Sequence, residues 1–394
     1  MKATKWKSYS LALIAGMSVL TACSSDDNND NGGNGNNGNG NEIENSTTLK
    51  GTITSDVTLT AGSTYKLSGE YIVEDGATLN IEAGVKIISI YDDIVDYILV
   101  KQGGKINAVG TSSAPIVMTS EKEEPGAWGG IHICGKAHTN AEGGKGSSEI
   151  GGATYGGNDD ADNSGTLKYV RVEYSGYAFD SEHEANGITF YGVGNGTTVE
   201  YCQAYKGSDD GFEFFGGSVN VSNLVSVSCS DDSFDWTEGW NGTATNLVAY
   251  QEAEETLGYD CDCLIEADNN ENNYAATPVA HPVLKNLILV GNNSAAGNRG
   301  IRLRRGTQVE IDGAKVCGKK NAVTLESEET ENALLAGTSK LANMTVDSEL
   351  RSEKNIYTND NFVSAGNTVD TSLKYTSFDD IKAECEWMAG NWVK

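Results

Sequence analysis

The sequence predicts an all-β solenoid, and three observations carry that prediction. First, Gly207-Ser208-Asp209-Asp210-Gly211-Phe212-Glu213-Phe214-Phe215-Gly216-Gly217 is answered by Ser230-Asp231-Asp232-Ser233-Phe234-Asp235-Trp236-Thr237-Glu238-Gly239-Trp240. Asp209 and Asp231, Phe212 and Phe234, and Glu213 and Asp235 all stand 22 residues apart, a period that suits coils stacked on one another. Second, between Thr47 and Asp347 there is no long helical periodicity, and the chain holds only 4 prolines among abundant Val, Ile, Thr, Tyr and Gly. Short strands with Gly and Asn corners fit that composition. Third, the strand anchors Val170, Cys202, Leu224, Leu247 and Leu287 follow at 32, 22, 23 and 40 residues, a basic coil with loops inserted at some corners.

The elements follow in order. Residues 1–22 have the form of an export signal: Lys2, Lys5 and Lys7, an apolar run from Leu11 to Leu20, then Thr21 and Ala22, too short for a membrane span. Residues 23–46, nearly all Asn, Gly, Asp and Glu after the first few, cannot bury a core and read as a flexible tether. Residues 47–376 hold the coils. In the N-terminal part the strands are Ala77–Ile81, Gly104–Ala108 and Trp128–Ile133. Residues 377–394 start with Ser377, an N-cap residue followed by Asp379 and Asp380, and space Phe378, Ile381, Cys385 and Met388 on one helical face; the segment is expected to cap the last coil.

One strand column runs through Gly187–Tyr191, Gly211–Phe215, Ser233–Thr237, Leu264–Asp268 and Gly300–Arg304. Alternation puts Ile188/Phe190, Phe212/Phe214, Phe234/Trp236, Ile265/Ala267 and Ile301/Leu303 inside. Thr189, Glu213, Asp235, Glu266 and Arg302 then form one outward row. Tyr191, Phe215, Thr237, Asp268 and Arg304 form the row beside it. Glu213, Asp235 and Glu266 on adjacent coils would stand about 5 Å apart and repel by roughly 3 kcal/mol per pair at an effective dielectric near 20. Glu213 and Asp235, with the corner residues Asp209, Asp210, Asp231 and Asp232, make an oxygen-only candidate cation site. Such a donor set favours Ca2+ or Mg2+ over zinc. Corner Asp residues that only cap turns are the alternative.

Of six arginines in the chain, Arg299, Arg302, Arg304 and Arg305 fall within seven residues. Ion pairing with Glu266 and Asp268 across coils is the simpler expectation, and an anion pocket at Arg302 and Arg304 the sharper one. Tyr191 and Phe215 could offer a ring platform to a sugar. Were the wall catalytic, Asp235, Glu213 and Glu266 would be its acids, with Arg302 as the base of a lyase. No histidine stands beside the acids: His132 is in a strand, and His138, His183 and His281 read as solvated loop residues.

Seven cysteines follow Cys23, an odd number that cannot all pair. Cys261 and Cys263 sit at alternate strand positions and are expected to be buried as small hydrophobes. Residues 1–22 contain 3 lysines and no acid, so the remaining chain carries 25 basic and 56 acidic side chains, a net −31. Such a field opposes nucleic acids and other polyanions. Neutral glycans, cations and protein partners are left.

Two resemblances add to this reading. Leu20-Thr21-Ala22-Cys23 resembles the lipobox of bacterial lipoproteins, which implies that Cys23 is acylated, and Ser24-Ser25-Asp26-Asp27 resembles the tag that sends Bacteroides-type lipoproteins to the outer face of the outer membrane. Asp162–Tyr174, Asp209–Gly217, Glu266–Asn270 with Ala276-Thr277-Pro278, and Trp128-Gly129-Gly130 together resemble a family of outer-membrane lipoproteins with a right-handed parallel β-helix. That resemblance spans roughly residues 47–394 and implies the fold without naming a reaction. The expected function is a non-enzymatic surface lipoprotein whose acidic, Ca2+-loaded face binds a glycan or a TonB-dependent transporter partner. A polysaccharide lyase or glycoside hydrolase on the same face is the alternative, and a structural spacer or adhesin the third.

Overall fold

The computed structural model describes residues 47–92, 94–179, 184–295 and 297–394. The signal segment, Cys23, the tether and His183 lie outside the described residues. The chain winds as a parallel β-helix whose 24 main strands form one hydrogen-bonded network.

The winding is set by a repeated bend. The strand Gly165–Glu173 pairs through Gly165–Lys168 with Ile106–Val109 and through Val170–Val172 with Ile116–Met118, so one strand serves two ladders. Between the halves Tyr169 takes a left-handed φ of 53°, and Tyr201, Asn223, Asn246, Asn286, Gly313 and Asn343 repeat that conformation on later coils. Asn tolerates it because its short amide compensates locally, which explains the Asn-rich corners. The expected anchors lie opposite one another, from Val170 and Cys202 through Leu224 and Leu247 to Leu287.

A third ladder closes the coil. It contains Tyr97–Val100, Ile131–Cys134, Ile188–Tyr191, Phe212–Phe215, Phe234–Thr237, Ile265–Ala267, Arg299–Leu303 and Asn321–Leu325. The strand expected at Trp128–Ile133 belongs here, whereas Thr78–Ile81 and Lys105–Val109 pair in a different ladder. All ten residues expected inside are buried. Stacking puts like on like: Phe190 over Phe214 at 5.1 Å, Phe212 over Phe234 at 5.5 Å, and Phe214 against Trp240 at 4.2 Å. Each large ring contributes roughly 2–3 kcal/mol of apolar burial.

The C-terminal segment departs from expectation. Ser377 does cap a helix, Phe378–Glu384, accepting from the Asp380 amide, but the segment does not close the last coil. Ile381, Cys385, Met388, Trp392 and Val393 pack on Val225, Val227, Val248, Ile288, Val290 and Cys317, the outward residues of one flank. Polar contacts extend this strap along the stack, from the Lys315–Glu384 ion pair to Lys394 with Gln203, Arg171 with the Asn391 carbonyl, and the Asn391 amide on Ser112. The physical reason is the apolar outward row itself, which must be covered. The main core instead ends on Leu350, Tyr357 and Phe362, the last in the helix Asn359–Ser364. The seven cysteines from Cys134 to Cys385 are all free, buried thiols, Cys261 and Cys263 among them as expected.

Candidate cation site

The outward acids come together because the ladder is in register. Thr189, Glu213, Asp235, Glu266, Arg302 and Thr324 are consecutive rungs. The corners just before these strands are built by side chains that accept backbone amides from neighbouring coils. Asn186 Oδ1 accepts from the Asp210 amide at 3.2 Å, Asp210 Oδ1 from Asp232 at 2.9 Å, and Asp232 Oδ1 from Cys263 at 2.6 Å. Turn capping therefore holds for one oxygen each of Asp210 and Asp232, and it fixes where those carboxylates stand.

What remains faces a cavity of roughly 370 Å3. Ten carboxylates line it: Asp209, Asp210, Glu213, Asp231, Asp232 and Asp235 as expected for the metal site, Glu266 from the same row, and Asp262, Glu149 and Glu184. Asp262 stands one coil beyond Asp231, a position the 22-residue pattern points to once the longer corner before Leu264 is allowed. Glu149 and Glu184 come from inserted loops, where periodicity gives no signal. Oxygen atoms of Asp210, Glu213 and Asp235 lie within 4.8 Å of one another. The same holds for Glu184, Asp209 and Asp231, and for Asp232, Asp235 and Glu266. Asp235 Oδ1 is buried and has no hydrogen-bond donor among the described residues. Asn186 is the neutral residue in this lining; its Nδ2 donates to Glu213 Oε2 at 2.5 Å.

This crowding costs charge. Burial, followed by mutual repulsion, pushes Asp209, Asp210, Glu213, Asp232 and Asp235 well above the usual carboxylate range. Asp231, at the solvent-facing rim, is pushed up to about 6 by burial of its carboxyl and by Asp262 and Glu266. A cation inside would reverse these shifts by favouring the ionised forms.

The arginines are already engaged, so the anion pocket expected at Arg302 and Arg304 is not formed. Arg302 donates to Glu266 Oε1 at 2.5 Å and to Glu326 Oε2 at 3.0 Å. Arg304 pairs with Glu266 and donates to Asp268 at 2.7 Å, and Arg305 bonds Asp268 at 2.8 Å. Burial disfavours the Arg302 charge, yet its bonds to Glu326 and Glu266 outweigh that and hold it above the ordinary guanidinium value. As a proton acceptor Arg302 is therefore poorly placed.

The sugar platform is also corrected. Tyr191 is buried, covered by the loop that carries Ile150 and Tyr155; its hydroxyl donates to Glu149 Oε2 at 3.1 Å, and Tyr155 lies on it at 5.1 Å. Phe215, half-buried, stacks on Tyr191 at 4.7 Å. Thr189 and His132 are buried as well. His132 is held neutral by burial, its pKa lowered to about 4, and its Nε2 donates to the Gly129 carbonyl. His138 is not solvated either: it bridges Asp160 at 2.6 Å and the Gly239 carbonyl at 2.9 Å.

Among known proteins, no curated protein and no solved structure matches the chain. A family model does, the pectate-lyase-like beta helix domain, over residues 51–394. With that match covering nearly all the coils described above, the chain belongs to the family of pectate-lyase-like β-helix domains.

Proposed function

We propose that the protein is a surface-displayed, non-enzymatic lipoprotein, anchored through Cys23 to the outer face of an outer membrane, whose acidic pocket takes up Ca2+. The observation that carries the reading is the convergence of ten carboxylates on one cavity, with Asp235 Oδ1 buried and without a donor among the described residues. Oxygen donors at adaptable spacing suit Ca2+, which accepts 6–8 of them, better than the tighter octahedron of Mg2+. The loaded face would meet a neutral glycan or a TonB-dependent transporter.

Calorimetric titration of the metal-free chain with Ca2+ and with Mg2+ tests this. Saturable Ca2+ binding, stronger than Mg2+ binding and weakened by Asp235→Asn, is the expected outcome. Absence of Ca2+ binding would leave the spacer or adhesin reading in its place.

The second reading is a lyase or glycoside hydrolase in the same pocket, favoured by the family description and by raised carboxylate pKa values of the kind acid catalysts use. The net charge speaks against a polyuronate substrate, and the paired state of Arg302 speaks against it as the base. Release of unsaturated or reducing ends from a polysaccharide panel with Ca2+ present, abolished by Glu213→Gln, would favour the enzyme.

A further inference from the structure

A second cavity, also roughly 370 Å3, lies on the flank covered by the C-terminal strap and shares no residue with the acidic pocket. Its floor is the row of left-handed bend residues. Asn246 donates from Nδ2 to Asn223 Oδ1 at 2.8 Å, and Asn286 donates to Asn246 Oδ1 at 3.3 Å. The next rung is Gly313, with φ 84°. Having no side chain, it cannot continue the row, so Asn286 Oδ1 receives no amide from that rung. One coil further, Asn343 turns its Nδ2 to Asp312 at 2.6 Å.

Space does not demand this glycine, although its φ of 84° lies where side chains are rarely found. A Cβ at 313 would meet Asn286 Oδ1 at 3.6 Å, an ordinary contact. Asn246, Asn286 and Asn343 show that asparagine accepts the same bend, with φ between 55° and 60°. The missing side chain leaves a notch, and the strap furnishes its wall. Half-buried Trp387 lines it, together with Leu287, Ala314 and the Lys315–Glu384 ion pair.

We propose that this notch binds a neutral sugar ring. An indole offers the apolar surface that the C–H face of a pyranose needs. The Asn286 and Asn343 amides supply both acceptors and donors for hydroxyls, and the lysine and glutamate at the edge cancel each other's charge. A charged sugar would gain nothing here and would be opposed by the field of the whole molecule. The inference goes beyond the cation pocket and does not depend on it.

The test is calorimetric titration of the purified full chain with cellohexaose, mannohexaose and xylohexaose, with hexagalacturonate as the charged control. At least one neutral oligosaccharide is expected to bind. Gly313→Asn, which completes the row and fills the notch, and Trp387→Ala should each weaken that binding by about tenfold or more. Asp235→Asn should leave it unchanged. Should either variant melt well below the parent, Asn286→Gly, which keeps the positive φ and removes the amide, decides by the same loss of binding. Failure of all three neutral probes to bind, binding that survives both variants, or tighter binding of hexagalacturonate would overturn the proposal.

Discussion

The two ends of one ladder differ in how they handle like charges. At the Arg302 end, Glu266 and Glu326 face guanidinium groups, and although burial acts the other way, the bonds from Arg302 hold Glu326 below the usual carboxylate range. At the Glu213 end the neighbours are Asp235, Asp209 and Glu149, and burial with repulsion drives the same kind of side chain upward. Glu213, Asp235, Glu266 and Arg302 stand at successive rungs of that ladder. A repetitive scaffold thus fixes proximity, and the residue chosen at each rung decides whether proximity stabilises the stack or holds a field in reserve for a ligand.

Breaking the paired end should have the largest effect. Arg302→Ala leaves Glu266 and Glu326 partly buried without one of their partners, and a loss of about 3 kcal/mol is expected, measured by denaturant unfolding without metal. A loss under about 0.5 kcal/mol, typical of a surface pair, would show that the two ends are not different in kind.

Loading the unpaired end comes next. Ca2+ at a hundredfold excess over Kd should add about 2.7 kcal/mol through preferential binding to the native state, read as a rise in melting temperature that chelator reverses. The rise should vanish in Asp235→Asn and persist in a variant of the Lys315–Glu384 pair, which lies outside the pocket.

Acidity should separate Glu326 from the pocket acids in sign, whereas burial raises Glu266 in spite of its arginine partners. A carboxylate with a raised folded pKa contributes stability that is whole below its unfolded pKa and is lost as pH rises through the folded value. For Asp231 that window runs from 3.8 to about 6, and for its more deeply placed neighbours it extends higher. Melting curves in chelator should therefore show stability falling as pH rises from about 4 through about 6 and onward, on the order of 2 kcal/mol after allowance for screening at the rim. Glu326 behaves oppositely: its contribution is present above its unfolded pKa and lost as pH falls through the lowered folded value. Arg302→Ala should remove that acid-side loss and leave the decline toward neutral pH.

The smallest effect is expected from Asp235→Asn in the metal-free chain. Removing one charge from the unpaired end should stabilise it by about 1 kcal/mol at neutral pH, detectable by denaturant unfolding. Destabilisation would mean that Asp235 has a role in folding that the repulsion among the carboxylates does not describe.

Much of this contrast was legible in the sequence. The 22-residue offset between Glu213 and Asp235 encodes their register, and the alternation around Phe212 and Phe234 encodes which way they point. The Arg302 and Arg304 pairs follow from extending that register to Gly300–Arg304. What could not be read was what lies over the coils. Tyr191 occupies an outward position, yet the loop bearing Tyr155 covers it, and nothing periodic links residues 150 and 191. Glu149 and Glu184 reach the pocket by the same kind of route. The fate of the C-terminal helix was half legible: its amphipathic face was visible, but the surface it meets, Val225, Val248 and Ile288, is recognisable only once those strands are seen to be apolar on both faces.

The strap has a mechanical consequence. Linear repeat stacks unravel from whichever terminus is weakest, because each layer is held only by its two neighbours. Here one segment touches Lys315 at one point and Ser112 at another, so layers far apart in the chain share a tie. Peeling any of them away first requires the tie to let go, and a filament-like architecture is thereby expected to melt as a unit.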